Sequence, residues 1–427
     1  MELKHLLGYT ALMVFLVLFV FTRNRRRTYL LFVLYAIPLI DVNLTPEYLG
    51  YYAVFDVVSY IALVFLAGEM LKARRIDFYL ILFLVFIVLI SISALRSQFV
   101  IESILYLFRI ISIFIYSALL LKECRENALF TSSVVKAVRV AVLVSAFFLV
   151  MQTVLGPSFT FYGDLNQNIF DSNIMRYPGF FQDPQVFAQF MAISSFLLLM
   201  GTEQDKKRPY LKYVFFLVCV IVLLLSGGRS GFLGMVIGFA LLIIFGGYEW
   251  KISGLALAAL AALVFLSFPS MFSMFNRQES VNESYQVRHA IWQESLNVSR
   301  LHPYWGIGGG NYLSYTKLNS LDGYYIINDD LVYYGTENGY LKLLAEFGVP
   351  GLILSLLFIV IPVLKGFASY FRKSNLTILF LVSAVIGWSV SFMTIYSLSD
   401  KRLFVLLATV ICMLIYYSNK NDLQINA

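Results

Sequence analysis

The feature that most constrains this chain is its succession of apolar runs. Segments of about 18 or more residues, each enough to cross a ~30 Å hydrocarbon core, follow one another almost from end to end. High-hydropathy windows fall at 6–22, 29–42, 51–71, 78–95, 99–121, 134–155, 184–201, 210–226, 230–246, 252–269, 348–364, 376–396 and 402–418. They predict an all-α polytopic membrane protein of about 12–14 transmembrane helices. Only 13% of residues are charged and 60% are hydrophobic, whereas soluble domains carry roughly 25% charged residues. Residues 1–427 therefore read as a single polytopic membrane domain, with no room for a soluble domain of ordinary size. The first run, Leu6 to Thr22, has no small-residue cleavage site after it and meets the basic stretch Arg23 to Arg27. It is expected to be a retained span and not a signal peptide.

The net charge of +7 does not point to nucleic acid, because the cations cluster in short loops between spans. Alternate loops hold Arg23 to Arg27, Lys72/Arg74/Arg75, Lys122/Arg125, Lys206/Lys207/Arg208, Lys251 and Lys365/Arg372/Lys373. By the positive-inside rule these are cytoplasmic, which puts the N-terminus outside and the C-terminus inside. The opposite loops are poor in cations, with Lys401/Arg402 as the exception. The three cysteines are scattered and form neither a disulfide framework nor a metal-binding spacing. No metal and no cofactor is expected.

Two outer loops exceed what a turn requires, 156–183 and 270–347. Both are studded with aromatic residues, Phe159, Tyr177 and Phe180 in the first and Trp292, Tyr304, Trp305, Tyr312, Tyr333 and Tyr334 among those in the second. Such rings suit an interfacial belt and, mixed with Asn and Asp, stacking on sugar faces. Val287, Ile291 and Val298, flanked by Trp292 and Leu301, make a helical stripe expected to lie along the membrane surface.

The end of the larger loop, Tyr333 to Gly351, runs from water into membrane. Glu337 and Asn338 open a short helix there, and Gly348, Pro350 and Gly351 break it before the next span. A carboxylate at a helix start suits the dipole and serves either as a plain cap or as a reactive group. On the same side, Arg176, Arg229 and Arg288 are cations near membrane level, which is costly unless they meet an anion. Arg229 lies in the tight turn Ser226-Gly-Gly-Arg-Ser-Gly231, where its guanidinium and free helix N–H groups would converge as an anion site. A diphosphate fits it, and a snorkelling or internally paired arginine is the alternative. The glycines 308–310 suit close backbone approach to a ligand or a flexible loop. Within the membrane, Glu102 and Arg109 share a helix face and suit pairing, while Asp56 and Glu69 are too few to suggest a transport path.

Four motifs in order, Arg-x-x-Gly-x-Phe-x-x-Pro at 176–184, Ser-x-x-Arg-Ser-Gly at 226–231, Arg288-x-x-x-Trp292 with Pro303-x-x-Gly-x-Gly, and Glu337-Asn338 followed by Gly348-x-x-Gly351, resemble the O-antigen polymerase and ligase superfamily. The resemblance covers roughly residues 176–351. It implies a metal-independent membrane glycosyltransferase of the C type, working on undecaprenyl-diphosphate-linked oligosaccharide at the outer face of a bacterial cytoplasmic membrane. It also implies that Arg176, Arg229 and Arg288 engage the diphosphate or neighbouring sugars. Asn338 and Tyr334 complete the expected substrate-binding set, and a chain-length regulator and a flippase are the partners such an enzyme would have. Many relatives, ligases especially, carry His where this chain has Glu337, and commonly Asn where it has Gln185. A carboxylate can still take a proton from an acceptor hydroxyl, so Glu337 is the expected catalytic base. The expectation is a Wzy-type polymerase making O-antigen, capsular or exopolysaccharide. A ligase acting on a lipid A core or protein is the alternative, and a lipid-linked oligosaccharide transporter is the alternative of another class.

Overall fold

The computed structural model describes residues 3–44, 52–71, 77–160, 176–202, 205, 207–252, 278–319, 324–327, 330–333 and 335–419. In chain order these form α1 (Leu3–Phe21), α2 (Arg25–Tyr35), α3 (Val54–Leu71), α4 (Phe78–Arg96), α5 (Val100–Glu126), α6 (Phe130–Leu155), α7 (Pro184–Leu199), α8 (Leu211–Ser226) and α9 (Arg229–Phe245). There follow α10 (Gln278–Leu301), α11 (Tyr312–Leu318), β1 (Tyr324–Ile327), β2 (Asp330–Tyr333), α12 (Gly339–Lys373), α13 (Leu376–Phe392) and α14 (Lys401–Asn419).

The protein is a helical, multi-pass membrane protein. Among the described residues, α1, α4, α5, α6, α12 and α14 are long and apolar enough to cross a membrane, and α7, α8, α9 and α13 are shorter apolar helices beside them. Their outward faces are apolar: Phe21 is 85% exposed and Val154 75%, which suits lipid and not water. Most helix bounds fall within a few residues of the hydropathy windows. The window at 252–269 lies outside the described residues.

Two expectations need correction. The window 29–42 is not one continuous helix: α2 stops at Tyr35, because Pro38 cannot continue a helix and disfavours helical geometry just before it. The chain then folds back, with Val54 N–H donating to Val42 O and Phe55 N–H to Ile40 O. Ile37, Ile40 and Val42 are buried, so this irregular backbone is covered by protein, as membrane depth requires. Among the described residues a short antiparallel hairpin accompanies the helices, with Tyr324 paired to Tyr333 and Ile327 to Asp330. Second, α10 turns its stripe inward. Ile291, Glu294, Ser295, Val298 and Ser299 are buried while Leu301 is exposed, and the Ser295 hydroxyl meets Tyr312 Oη at 2.8 Å and Thr336 Oγ1 at 3.1 Å. Serines that find partners inside the protein anchor this face there. The side chain of Val287 lies outside the described set.

Side-chain contacts identify the two ends of the bundle. At the cation-rich end Arg26 pairs with Glu69, Glu123 and Glu126, and Arg139 pairs with Asp205. At the other end lie the turns before α7 and α9, the start of α12 and the loop before α14. The Lys401/Arg402 exception to the charge bias is resolved there. Both cations are buried, and Lys401 meets Asp56 at 2.7 Å while Arg402 pairs with Asp400 and lies 3.6 Å from Asp41. They are neutralised inside the protein and so carry no topological charge.

The expected break in α12 is present and has a physical cause. Gly348 adopts φ 67, ψ −172, and Pro350 has no N–H to give to Glu346 O. Val349 N–H turns instead to Pro303 O at 2.8 Å, and the orphaned carbonyls of Ala345 and Glu346 accept from Ile307 and Gly308 N–H, both at 3.0 Å. The glycines after Pro303 serve this docking: a Cβ on Gly306 would lie 2.2 Å from Glu346 O and one on Gly309 2.5 Å from Tyr106. They are neither a ligand cradle nor a slack loop.

Candidate active site

The Arg176 segment is a turn clamped between helices. Asp183 caps α7, accepting from Gln185 N–H at 2.7 Å, and Pro184 takes the first helical position, where its missing N–H costs nothing. Upstream, Gln152 of α6 donates to Gly179 O at 2.8 Å and accepts from Gly179 N–H at 2.9 Å.

Arg229 opens α9. Gly227 is left-handed at φ 74, which reverses the chain within the turn, and Gly228 is an N-cap with no side-chain hydrogen bond to the helix. A Cβ on Gly227 would lie 3.3 Å from Cγ of Arg176, so the stem of Arg176 runs alongside this turn. The approach of α9 to its neighbours is close enough to demand glycine: a Cβ on Gly234 would stand 2.4 Å from Gly387 O of α13. Small residues at such crossings let membrane helices meet backbone to backbone.

Glu337 and Arg288, far apart in the chain, form an ion pair, Nε to Oε2 at 2.6 Å, with both side chains about one-third exposed. Arg288 is thus engaged with the carboxylate instead of standing alone as an anion ligand. Asn338 caps α12, its Oδ1 accepting from Tyr340 and Leu341 N–H at 3.0 and 3.2 Å. That commits its carbonyl oxygen to the helix, leaving the amide NH2 as the group to offer a substrate. Tyr334 lies outside the described residues.

One element joins the two clusters. The last turn of α13 accepts the Tyr340 hydroxyl at Ser389 O, 3.0 Å, and a Cβ on Gly339 would strike the Phe392 ring. The same turn sends the Ser391 hydroxyl to Ser230 O of α9 at 2.8 Å and receives Gln189 of α7 at 3.2 Å. The N-termini carrying Arg229 and Glu337 therefore abut one helix end, on one side of the bundle.

Several polar groups here escape sequence reading. Lys342 lies 4.2 Å from the Tyr396 ring centroid and 3.8 Å from buried Glu346, and Tyr396 shares a hydrogen bond of 2.6 Å with Tyr106. Lys342 and Glu346 are legible as an i, i+4 pair, but that spacing is too common to mark a site. Their tyrosine partners lie in other elements, with no local signal.

The arrangement defines a class: a polytopic membrane protein with arginines, an uncapped helix N-terminus and a carboxylate gathered at one end. Residues 214–356 match the family model described as O-antigen ligase. That stretch is similar to the O-antigen polymerase and ligase superfamily, a glycosyltransferase-like group, and it contains Arg229, Arg288 and Glu337. No curated protein matches the chain.

Proposed function

We propose that this protein polymerises oligosaccharide repeat units carried on undecaprenyl diphosphate, by inverting glycosyl transfer at the outer face of the cytoplasmic membrane. The supporting observation is the shared platform: Arg229 and Glu337 stand on helix N-termini that both pack on the last turn of α13. The cation-rich loops at the opposite end are the cytoplasmic ones by charge bias, which supports an outer position for this platform.

In the reaction the acceptor hydroxyl oxygen attacks the anomeric carbon of the donor sugar. The bond from that carbon to the diphosphate oxygen breaks, and its electron pair leaves with the lipid diphosphate. Arg229, Arg176 and the first N–H groups of α9 meet the growing negative charge as preorganised donors. Glu337 takes the hydroxyl proton, and Arg288 holds the carboxylate in place. The guanidiniums supply the charge that a leaving diphosphate needs.

The test is incubation of the full-length protein in proteoliposomes with a lipid-diphosphate-linked repeat unit. A ladder of longer products is expected, and Arg229→Ala should collapse it. Full activity of that variant would remove the diphosphate site from the scheme. The ligase reading has one observation in its favour, the description of the matching family model. It predicts transfer to a non-polymer acceptor with no ladder.

A further inference from the structure

We propose that Arg402 and Gln152 are positioning residues for Arg176: from α14 and α6 they fix the turn that holds its side-chain stem beside the start of α9. The inference rests on the polymerase reading for what Arg176 does, and on geometry alone for how it is held.

Arg402 is fully buried and is the largest such side chain among the described residues. It pairs with Asp400, approaches Asp41 at 3.6 Å, and stands beside the Lys401 to Asp56 pair. Replacing a buried ion cluster by apolar side chains is often neutral or stabilising, so stability is a poor account of why these charges are here. What a guanidinium does that an apolar chain cannot is hold a fixed carbonyl with a rigid fork. Arg402 Nη1 donates to Phe180 O at 2.5 Å, and its Cζ lies 4.1 Å from the Phe181 ring centroid.

Gln152 acts from α6. Its amide makes both hydrogen bonds to Gly179, so successive peptide units at 179 and 180 are gripped by side chains from α6 and α14. Gly179 has φ 60, and a Cβ there would lie 2.6 Å from the Phe187 ring. The turn therefore has one seat, and Arg176 lies three residues upstream along Gly227. Displacing a binding group by about 1 Å can cost on the order of 100-fold in rate, so a slack turn would weaken donor capture without touching the carboxylate.

The experiment uses full-length Arg402→Lys and Gln152→Leu in proteoliposomes, with a lipid-diphosphate-linked repeat unit as the donor. Each should raise the donor KM by about tenfold while kcat changes less. In an Arg176→Ala background neither should cause further loss, because the group they position is gone. Tryptic cleavage after Arg176 should be faster in both variants than in the wild type. Unchanged KM and cleavage in a folded variant would overturn the proposal, as would losses that multiply in the Arg176→Ala background. If Arg402→Lys fails to fold, Gln152→Leu carries the same test without disturbing the ion cluster. A wild-type protein that makes no ladder overturns the polymerase reading by itself, and unchanged cleavage in the variants then overturns the clamp separately.

Discussion

Glu337→Gln separates a reactive carboxylate from a structural one, because the structure predicts opposite sizes for its two effects. The Arg288 to Glu337 pair is short, 2.6 Å, but its side chains are 37% and 32% exposed. Solvent screening leaves such pairs about 0–1 kcal/mol of stability, so losing it should move the melting midpoint by no more than about 4 °C. Losing a general base costs about 10²- to 10⁴-fold in rate, or roughly 3–5 kcal/mol of transition-state stabilisation. The assay is the initial rate of ladder growth in proteoliposomes beside a size-exclusion melting curve on the same preparation. A swap of the pair, Arg288→Glu with Glu337→Arg, should restore the ion pair and leave the rate collapsed. A folded Glu337→Gln protein within about tenfold of wild-type rate would refute the base assignment. A large melting loss that tracks the activity loss would make the pair a structural one.

Other consequences follow from packing and charge. Gly387→Leu forces a Cβ to within 2.4 Å of Gly234 O, and overpacking of this kind costs about 1–3 kcal/mol or more, so the melting midpoint should fall and activity with it. Gly348→Ala combines a left-handed φ of 67 with a Cβ 2.6 Å from Pro303 O. A strain of at least about 1 kcal/mol is expected, seen as faster proteolysis within 303–311. At the cation-rich end, burial pushes the Asp205 carboxyl up, but the Arg139 hydrogen bonds and the Thr202 N–H together outweigh it and leave it below the usual carboxylate value. A depressed folded value means stability that is present above about pH 4 and is lost as pH falls through the folded value. Asp205→Asn should melt lower at neutral pH and lack that acid-dependent loss.

The bundle was legible because lipid-crossing helices write themselves as long apolar runs, and the break at Gly348 because Pro350 removes a donor wherever it falls. The hairpin 324–333 was legible in principle from its β-branched and aromatic residues, but the same tyrosines also suit an interfacial belt. The inward turn of α10 was hidden because Ser295 looks like part of a wet face until Tyr312 and Thr336 are seen beside it. The site divides in the same way. Glu337 and Arg229 were marked by local features, a helix start and a tight turn. Arg402 and Gln152 act on Phe180 and Gly179 across 222 and 27 residues, and Arg402 looked from its neighbours like a misplaced topological charge. Contacts of that kind are set by how helices pack, which no local spacing encodes.

Ser230 gives the sharpest remaining distinction between packing and binding. It follows Arg229 in the first turn of α9, is 4% exposed, and its hydroxyl oxygen has no hydrogen-bond partner among the described residues. Of the three helix N-termini gathered here, α7 is capped by Asp183 and α12 by Asn338, while α9 has no side-chain cap. A Cβ on Gly228 would lie 2.3 Å from Ala188 Cβ, so packing against α7 forbids a capping residue there. If the hydroxyl is merely stranded, it costs the fold about 1–3 kcal/mol, and Ser230→Ala should raise the melting midpoint and leave the donor KM alone. If a diphosphate oxygen completes it, the same change loses a hydrogen bond to a charged acceptor, about 1.5–3 kcal/mol, and raises the KM by roughly 10- to 100-fold. The second outcome is expected, because the uncapped helix start, the unsatisfied hydroxyl and Arg229 coincide in one turn. A more stable Ser230→Ala protein with wild-type KM would mean that this turn packs helices and holds no anion.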